Sequence, residues 1–151
     1  MTGIIYDTNY MIPRIVLDTN VLVSALRSQL GASFRLLSLI DSGTFVACIS
    51  VPLVLECEAA TKRQGKTLGL SHSDIDAIID YICQVAEHHK VYYLWRPILK
   101  DAKDDMVLEL AVGSKADAIV TCNKGDFKGV EGFGVRIMSP KELLKQIGVQ
   151  R

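Results

Sequence analysis

A three-layer α/β domain with a central parallel β-sheet is the fold that three features of this chain predict. Short apolar runs such as Ile15-Val16-Leu17 and Ala118-Ile119-Val120 recur along it, and runs without alternation suit strands covered on both faces. Between them lie segments with apolar residues at helical spacing, and strands that alternate with helices build parallel sheets. Helix starts are marked by capping signals, among them Ser71-His72-Ser73-Asp74 and Ser139-Pro140-Lys141-Glu142. With 151 residues, 49% of them hydrophobic, the chain is long enough to bury the core of one such domain.

Composition removes several classes of function. Seventeen basic and seventeen acidic residues cancel, so no global basic field announces a nucleic-acid binder and any polyanion site is local. Cys48, Cys57, Cys83 and Cys122 lie apart in apolar segments with no CxxC pair to hold zinc, which reads as reduced core cysteines. No apolar run approaches the roughly 20 residues of a membrane span, and no basic region followed by an apolar one opens the chain. The expectation is a soluble, cytoplasmic protein.

Taken in order, residues 1–13 form an N-terminal extension or edge strand, and residues 14–148 the domain. The leading segment holds Ile5-Tyr6-Asp7-Thr8-Asn9-Tyr10, an echo of Val16-Leu17-Asp18-Thr19-Asn20-Val21. Pro13 would stop a helix after the first copy, whereas the second continues into Ser24-Ala25-Leu26-Arg27 without a breaker. Asp18 is therefore the stronger candidate. It stands where a buried strand turns into a helix, the edge at which α/β sheets bind ligands. It is equally well read as the cap of the following helix.

A helix over Ser33–Ile40 is expected to stop at Asp41-Ser42-Gly43 with Gly43 as its C-cap. A strand over 44–49 follows, then a helix opened by Ser50-Val51-Pro52 that carries Glu56 one turn in. On spacing alone Glu56 reads as an exposed helical acid. Lys62-Arg63-Gln64-Gly65-Lys66 closes this helix and is the densest basic patch. The next helix has one apolar stripe through Ile75, Ile78, Ile79 and Ile82 and ends at His88 and His89, which read as solvated. A metal role for these histidines lacks a carboxylate or cysteine at ligand spacing. A strand is expected over Val91-Tyr92-Tyr93-Leu94.

Asp101-Ala102-Lys103-Asp104-Asp105 then opens another helix. One carboxylate suffices for a cap, and three within five residues repel one another unless a cation screens them. A metal-facing role for at least one follows. The strand Ala118–Cys122 ends in Thr121, Asn123, Lys124 and Asp126, and a strand over Val135–Met138 precedes the helix capped by Ser139.

Several strands thus lead into acids, and no glycine-rich phosphate loop or Ser-His-Asp order accompanies them. Carboxylates without histidine or cysteine suit a hard cation, Mg²⁺ or Mn²⁺. Such sites mostly serve phosphate chemistry, so phosphodiester hydrolysis is the leading reaction class.

Four stretches in order, Val16-Leu17-Asp18-Thr19-Asn20-Val21, Ser50…Glu56, Asp101-Ala102-Lys103-Asp104-Asp105 and Ala116-Asp117-Ala118-Ile119-Val120-Thr121, closely resemble PIN-domain ribonucleases, in particular the VapC-like toxins of bacterial toxin–antitoxin systems. The resemblance spans about residues 14 to 146. It implies a PIN-like three-layer α/β/α sandwich whose acids bind Mg²⁺ or Mn²⁺ and cut single-stranded or looped RNA. It makes Asp18 the first metal ligand, Glu56 the acid that orients a bound water, and Asp104 the third acid, with Asp105 ranked below it and Asp101 lower again. Many members carry Thr-Gly-Asp at the fourth strand end, whereas this chain has Thr121-Cys122-Asn123, with Asp126 and Phe127 following. Asp126 then stands in for the missing charge, and Thr19, Asn20, Ser50, Thr121 and Asn123 are supporting polar residues. Arg27, Lys62, Arg63, Lys103 and Lys124 are candidate RNA contacts. An antitoxin protein is the implied partner and a homodimer is compatible. The alternative is a PIN-fold RNA-binding protein with weak or absent catalysis, because Asn123 is neutral.

Overall fold

A computed structural model describes residues 12–91 and 98–148. Five strands, β1 (Arg14–Leu17), β2 (Val46–Ile49), β3 (Glu87–His88), β4 (Ala118–Val120) and β5 (Arg136–Met138), form a sheet in the order β3-β2-β1-β4-β5. Every pairing is parallel. Among the described residues, seven α-helices connect and cover them: α1 (Thr19–Arg27), α2 (Ala32–Ser38), α3 (Val51–Arg63), α4 (Gly65–Leu68), α5 (His72–Val85), α6 (Ala102–Gly113) and α7 (Pro140–Gln146). This is the α/β/α sandwich expected from the alternation.

The strand residues divide between two cores as the pleat requires. Ile15, Ala47 and Val120 join Val21, Leu36 and Leu143 on one face. Val16, Cys48 and Ile119 join Val107, Leu110 and Phe127 on the other. Ile15, Val16 and Ile119 are wholly buried, each contributing about 1.5–3 kcal/mol of apolar burial. Such double-sided burial explains why the strand sequences are apolar without alternation.

Local signals place the helices. Ser50 accepts from Leu53 N at 3.4 Å with Pro52 in the first turn of α3, and reciprocal capping boxes open α5 at Ser71 and Asp74 and α7 at Ser139 and Glu142. Two expectations are corrected. Helix α2 ends at Ser38, because Leu39 and Ile40 tighten into bonds to Leu36 and Leu37 carbonyls. Gly43, at φ +84°, serves the later turn rather than the cap. His88 is not a solvated helix end: Ala86 turns extended, and Glu87 and His88 pair beside Cys48 and Ile49 as the short edge strand β3. Most of the strand expected over Val91–Leu94, and residues 1–11 of the N-terminal segment, lie outside the described residues.

In this order, chain connections leave β1 in opposite directions at its junction with β4. Such a switch point opens a crevice at the carboxyl ends of the strands. Asp18 follows β1 directly, and Thr121 follows β4.

Candidate active site

The cap and site readings of Asp18 turn out to be compatible. Its Oδ1 accepts from Thr19 N at 2.8 Å, capping α1, while Oδ2 accepts from the Thr121 hydroxyl at 2.9 Å across the switch point. Thr121 is fully buried, and its oxygen also accepts from Asn20 Nδ2 at 3.2 Å and Asn123 N at 3.1 Å. Asn20 Oδ1 in turn accepts from Cys122 N at 3.1 Å. The network fixes the end of β4 against the start of α1, so the carboxylate has one orientation.

Above it opens a cleft of about 430 Å³. Its lining includes the acids Asp18, Glu56, Asp101, Asp104 and Asp126 and the cations Arg27, Arg63 and Lys103. Helical spacing explains the composition: Asn20, Val23, Ser24 and Arg27 line it from α1, and Glu56, Ala60, Arg63 and Gln64 from α3. Asn123 Nδ2 donates to Asp126 Oδ1 at 3.1 Å, which orients that carboxylate.

Electrostatics separate the acids. Burial raises the Asp104 carboxyl to about 6, with the charges of Asp126, Asp18, Asp101 and Asp105 adding to it. Asp18 is also raised by burial, partly offset by its bonds from Thr121 and Thr19, with Asp126 and Asp101 pushing the same way as burial. No ion pair reaches Asp18, Asp104 or Asp126 among the described residues. Mutually repelling carboxylates without a cation match the oxygen donor set of Mg²⁺ or Mn²⁺. Asp18, Asp104 and Asp126 are the oxygen donors this cleft offers such an ion; among the described residues their carboxylate oxygens are not gathered within 4.8 Å of one another, so an ion held there would draw them together. The neighbouring Cys57 thiol, 3.6 Å from Thr19 Oγ1, is pushed up to about 11 by burial and stays protonated.

Not every candidate residue reaches the cleft. Asp105 turns back, its Oδ1 accepting from Ile98 N at 3.0 Å and Leu99 N at 2.8 Å, which makes it a loop anchor. Ser50 is spent on the α3 cap. Lys62 lies 2.8 Å from both Glu58 and Asp76, tying α3 to α5. Lys124 pairs with Glu142 at 3.0 Å. Conversely, Gln64, Ser24 and Cys122 line the cleft without having been singled out in the sequence, although Gln64 follows from the helical spacing of Glu56 and Ala60.

A second polar cluster occupies the opposite edge of the sheet. Ligand atoms of Cys48, Glu87 and His89 lie within 4.8 Å of one another, a grouping the linear spacing does not suggest because β2 and β3 pair only in the fold. The Arg14 guanidinium sits among them. It donates to Glu87 and, at 3.1 Å, to the Ser114 carbonyl, and lies 3.2 Å from His89 Nε2. The hydrogen bond from Arg14, then that from His89, hold Glu87 down to about 2.

A parallel α/β sandwich with unneutralised carboxylates at its switch point defines a candidate hard-metal site. The sequence profile of the PIN domain family matches residues 14–125, and the chain belongs to that family, a family of nucleases. No curated protein matches it in sequence. Among solved structures, it is similar to VapBC2 from Rickettsia felis bound to a DNA fragment from their promoter. The TM-score is 0.58 at 15% identity, over 83% of this chain and 99% of that one. That likeness supports the fold.

Proposed function

We propose that this protein is a divalent-metal-dependent endoribonuclease and the toxin of a toxin–antitoxin pair. The observation that carries the reading is that Asp18, Asp104 and Asp126 line one cleft and none of the three is ion-paired among the described residues. A bound Mg²⁺ or Mn²⁺ would polarise the phosphodiester and lower the pKa of a water. Asp18, Asp104 and Asp126 would hold the ion, Thr121, itself bonded by Asn20, fixes Asp18, and Glu56 would orient the attacking water. Arg27, Arg63 and Lys103 meet the RNA backbone at the rim. A cleft lined by Arg27, Arg63 and Lys103 beside the acids suits the backbone of a single strand or of a loop whose bases are splayed. The antitoxin assignment follows from the likeness to VapBC2, and a cytoplasmic location and a homodimer are compatible with it.

The second reading, RNA binding without hydrolysis, draws on one feature: Asn123 contributes an amide where the family pattern offers a carboxylate, and Asp126 is exposed. Incubation of purified protein with Mn²⁺ and structured RNA separates the two. Wild type cuts and Asp18→Asn loses at least about 100-fold of the rate, with growth arrest on expression confined to wild type. Equal cutting by Asp18→Asn would discard the active-site assignment. No cutting at any metal concentration, with RNA binding undiminished in EDTA, would select the second reading.

A further inference from the structure

Glu56 is the only acid lining the cleft that is ion-paired among the described residues, and both of its partners are cations of the rim. Its Oε2 lies 3.3 Å from Lys103 Nζ and 3.7 Å from Arg63 Nη2. The two cations are more than half exposed, while the glutamate side chain is 18% exposed. These separations exceed the 2.7–2.9 Å typical of a charge-assisted hydrogen bond. They also differ from Lys62, which holds two acids at 2.8 Å each. Arg63 lies seven residues beyond Glu56 on the same face of α3, and Lys103 approaches from the first turn of α6, so the Lys103 pair joins α6 to α3 while the Arg63 pair runs along α3. The basic rim continues beyond them: Arg27 Nη2 donates to Gln64 Oε1 at 2.8 Å.

We propose that Glu56 occupies a backbone-phosphate subsite in the unliganded protein. A phosphate of the bound RNA, next to the one being cut, displaces the Glu56 carboxylate from Lys103 and Arg63. Resting on the ribonuclease reading, this exchange couples strand binding to the acid that orients water. Three observations favour it. The pairs are long and exposed on their cation side, so each contributes little and is readily replaced. A phosphate offers Arg63 a bidentate acceptor that a single Glu56 oxygen does not. Lys103 and Arg63 share the cleft with Asp18 and Asp104, which places the subsite beside the metal ligands.

A mutant cycle tests the exchange, with a fluorescein-labelled oligouridylate titrated in EDTA so that hydrolysis plays no part. Glu56→Gln removes the competitor and tightens binding about five-fold, and the joint change Lys103→Gln with Arg63→Gln weakens it by at least as much. In the doubly substituted background the gain from Glu56→Gln disappears. A gain of equal size there would mean that Glu56 acts only through the general field, and no gain in wild type would mean that it does not compete; either overturns the proposal. Lys103→Arg restores affinity if charge at the subsite is what matters. The same cycle with inorganic pyrophosphate, followed by the Arg63 Nε–Hε resonance, tests the exchange without RNA. A protein that binds pyrophosphate in this pattern but no RNA keeps the subsite and loses the ribonuclease reading. Binding of neither removes the subsite.

Discussion

At the amino end of β1, Arg14 sits among Glu87, His89 and Ser114, whereas at its carboxyl end Asp18 shares a cleft with Asp104 and Asp126, and none of these three acids is ion-paired among the described residues. Both ends hold charged groups on adjacent elements, and they titrate in opposite directions. Glu87 is held down to about 2 and Asp104 raised to about 6. A carboxyl depressed by folding adds stability above its unfolded pKa, lost as pH falls toward 2. A carboxyl raised by folding binds its proton more tightly in the native state, so stability declines as pH rises from about 4 to about 6. The amino edge is complete in itself. The carboxyl edge carries an electrostatic cost that a bound cation would relieve.

Substitutions at the two ends sharpen the contrast. The largest effect on stability is expected from Thr121→Val, which leaves Asp18 Oδ2 and the Asn20 amide without their shared hydroxyl. Chemical denaturation should show a loss of about 1–3 kcal/mol. A loss confined to a few tenths would mean that the network does not fix Asp18. Arg14→Gln is expected to cost less, about 1 kcal/mol after allowance for solvent screening. It should flatten the acid limb of the stability profile between about pH 2 and 4.5 and leave RNA hydrolysis unchanged. A fall in hydrolysis with no change in the acid limb would contradict the division between the two edges.

Much of the carboxyl edge was legible because its signals are local. The apolar run before Asp18, the Ser50 and Pro52 start of α3 and the acids opening α6 each act within a few residues. What was misread depended on direction or on pairing. Successive helical residues diverge by about 100°, so Arg63, seven beyond Glu56, returns to within about 20° of its face while Lys62 points away. The same rotation turns Asp105 toward Ile98 and Leu99 while Asp104 lines the cleft. Strand β3 was invisible because Glu87-His88 has little strand preference of its own; pairing with β2 makes it a strand. The Arg14 cluster shares that cause, joining the neighbours Glu87 and His89 to residues 14, 48 and 114, which lie far from them in the chain.

The unneutralised acids are the centre of this account, and their affinity for a divalent ion tests it most directly. Calorimetric titration of Mn²⁺ into the metal-free wild type between pH 5 and 8 should show affinity rising as pH passes about 6, where Asp104 loses its proton, and levelling above it. Asp104→Asn should lower that affinity by at least about 100-fold while making the metal-free protein more stable at neutral pH, by about 1 kcal/mol after screening. Binding that ignores pH across this range and survives Asp104→Asn unchanged would place the ion elsewhere and contradict the account.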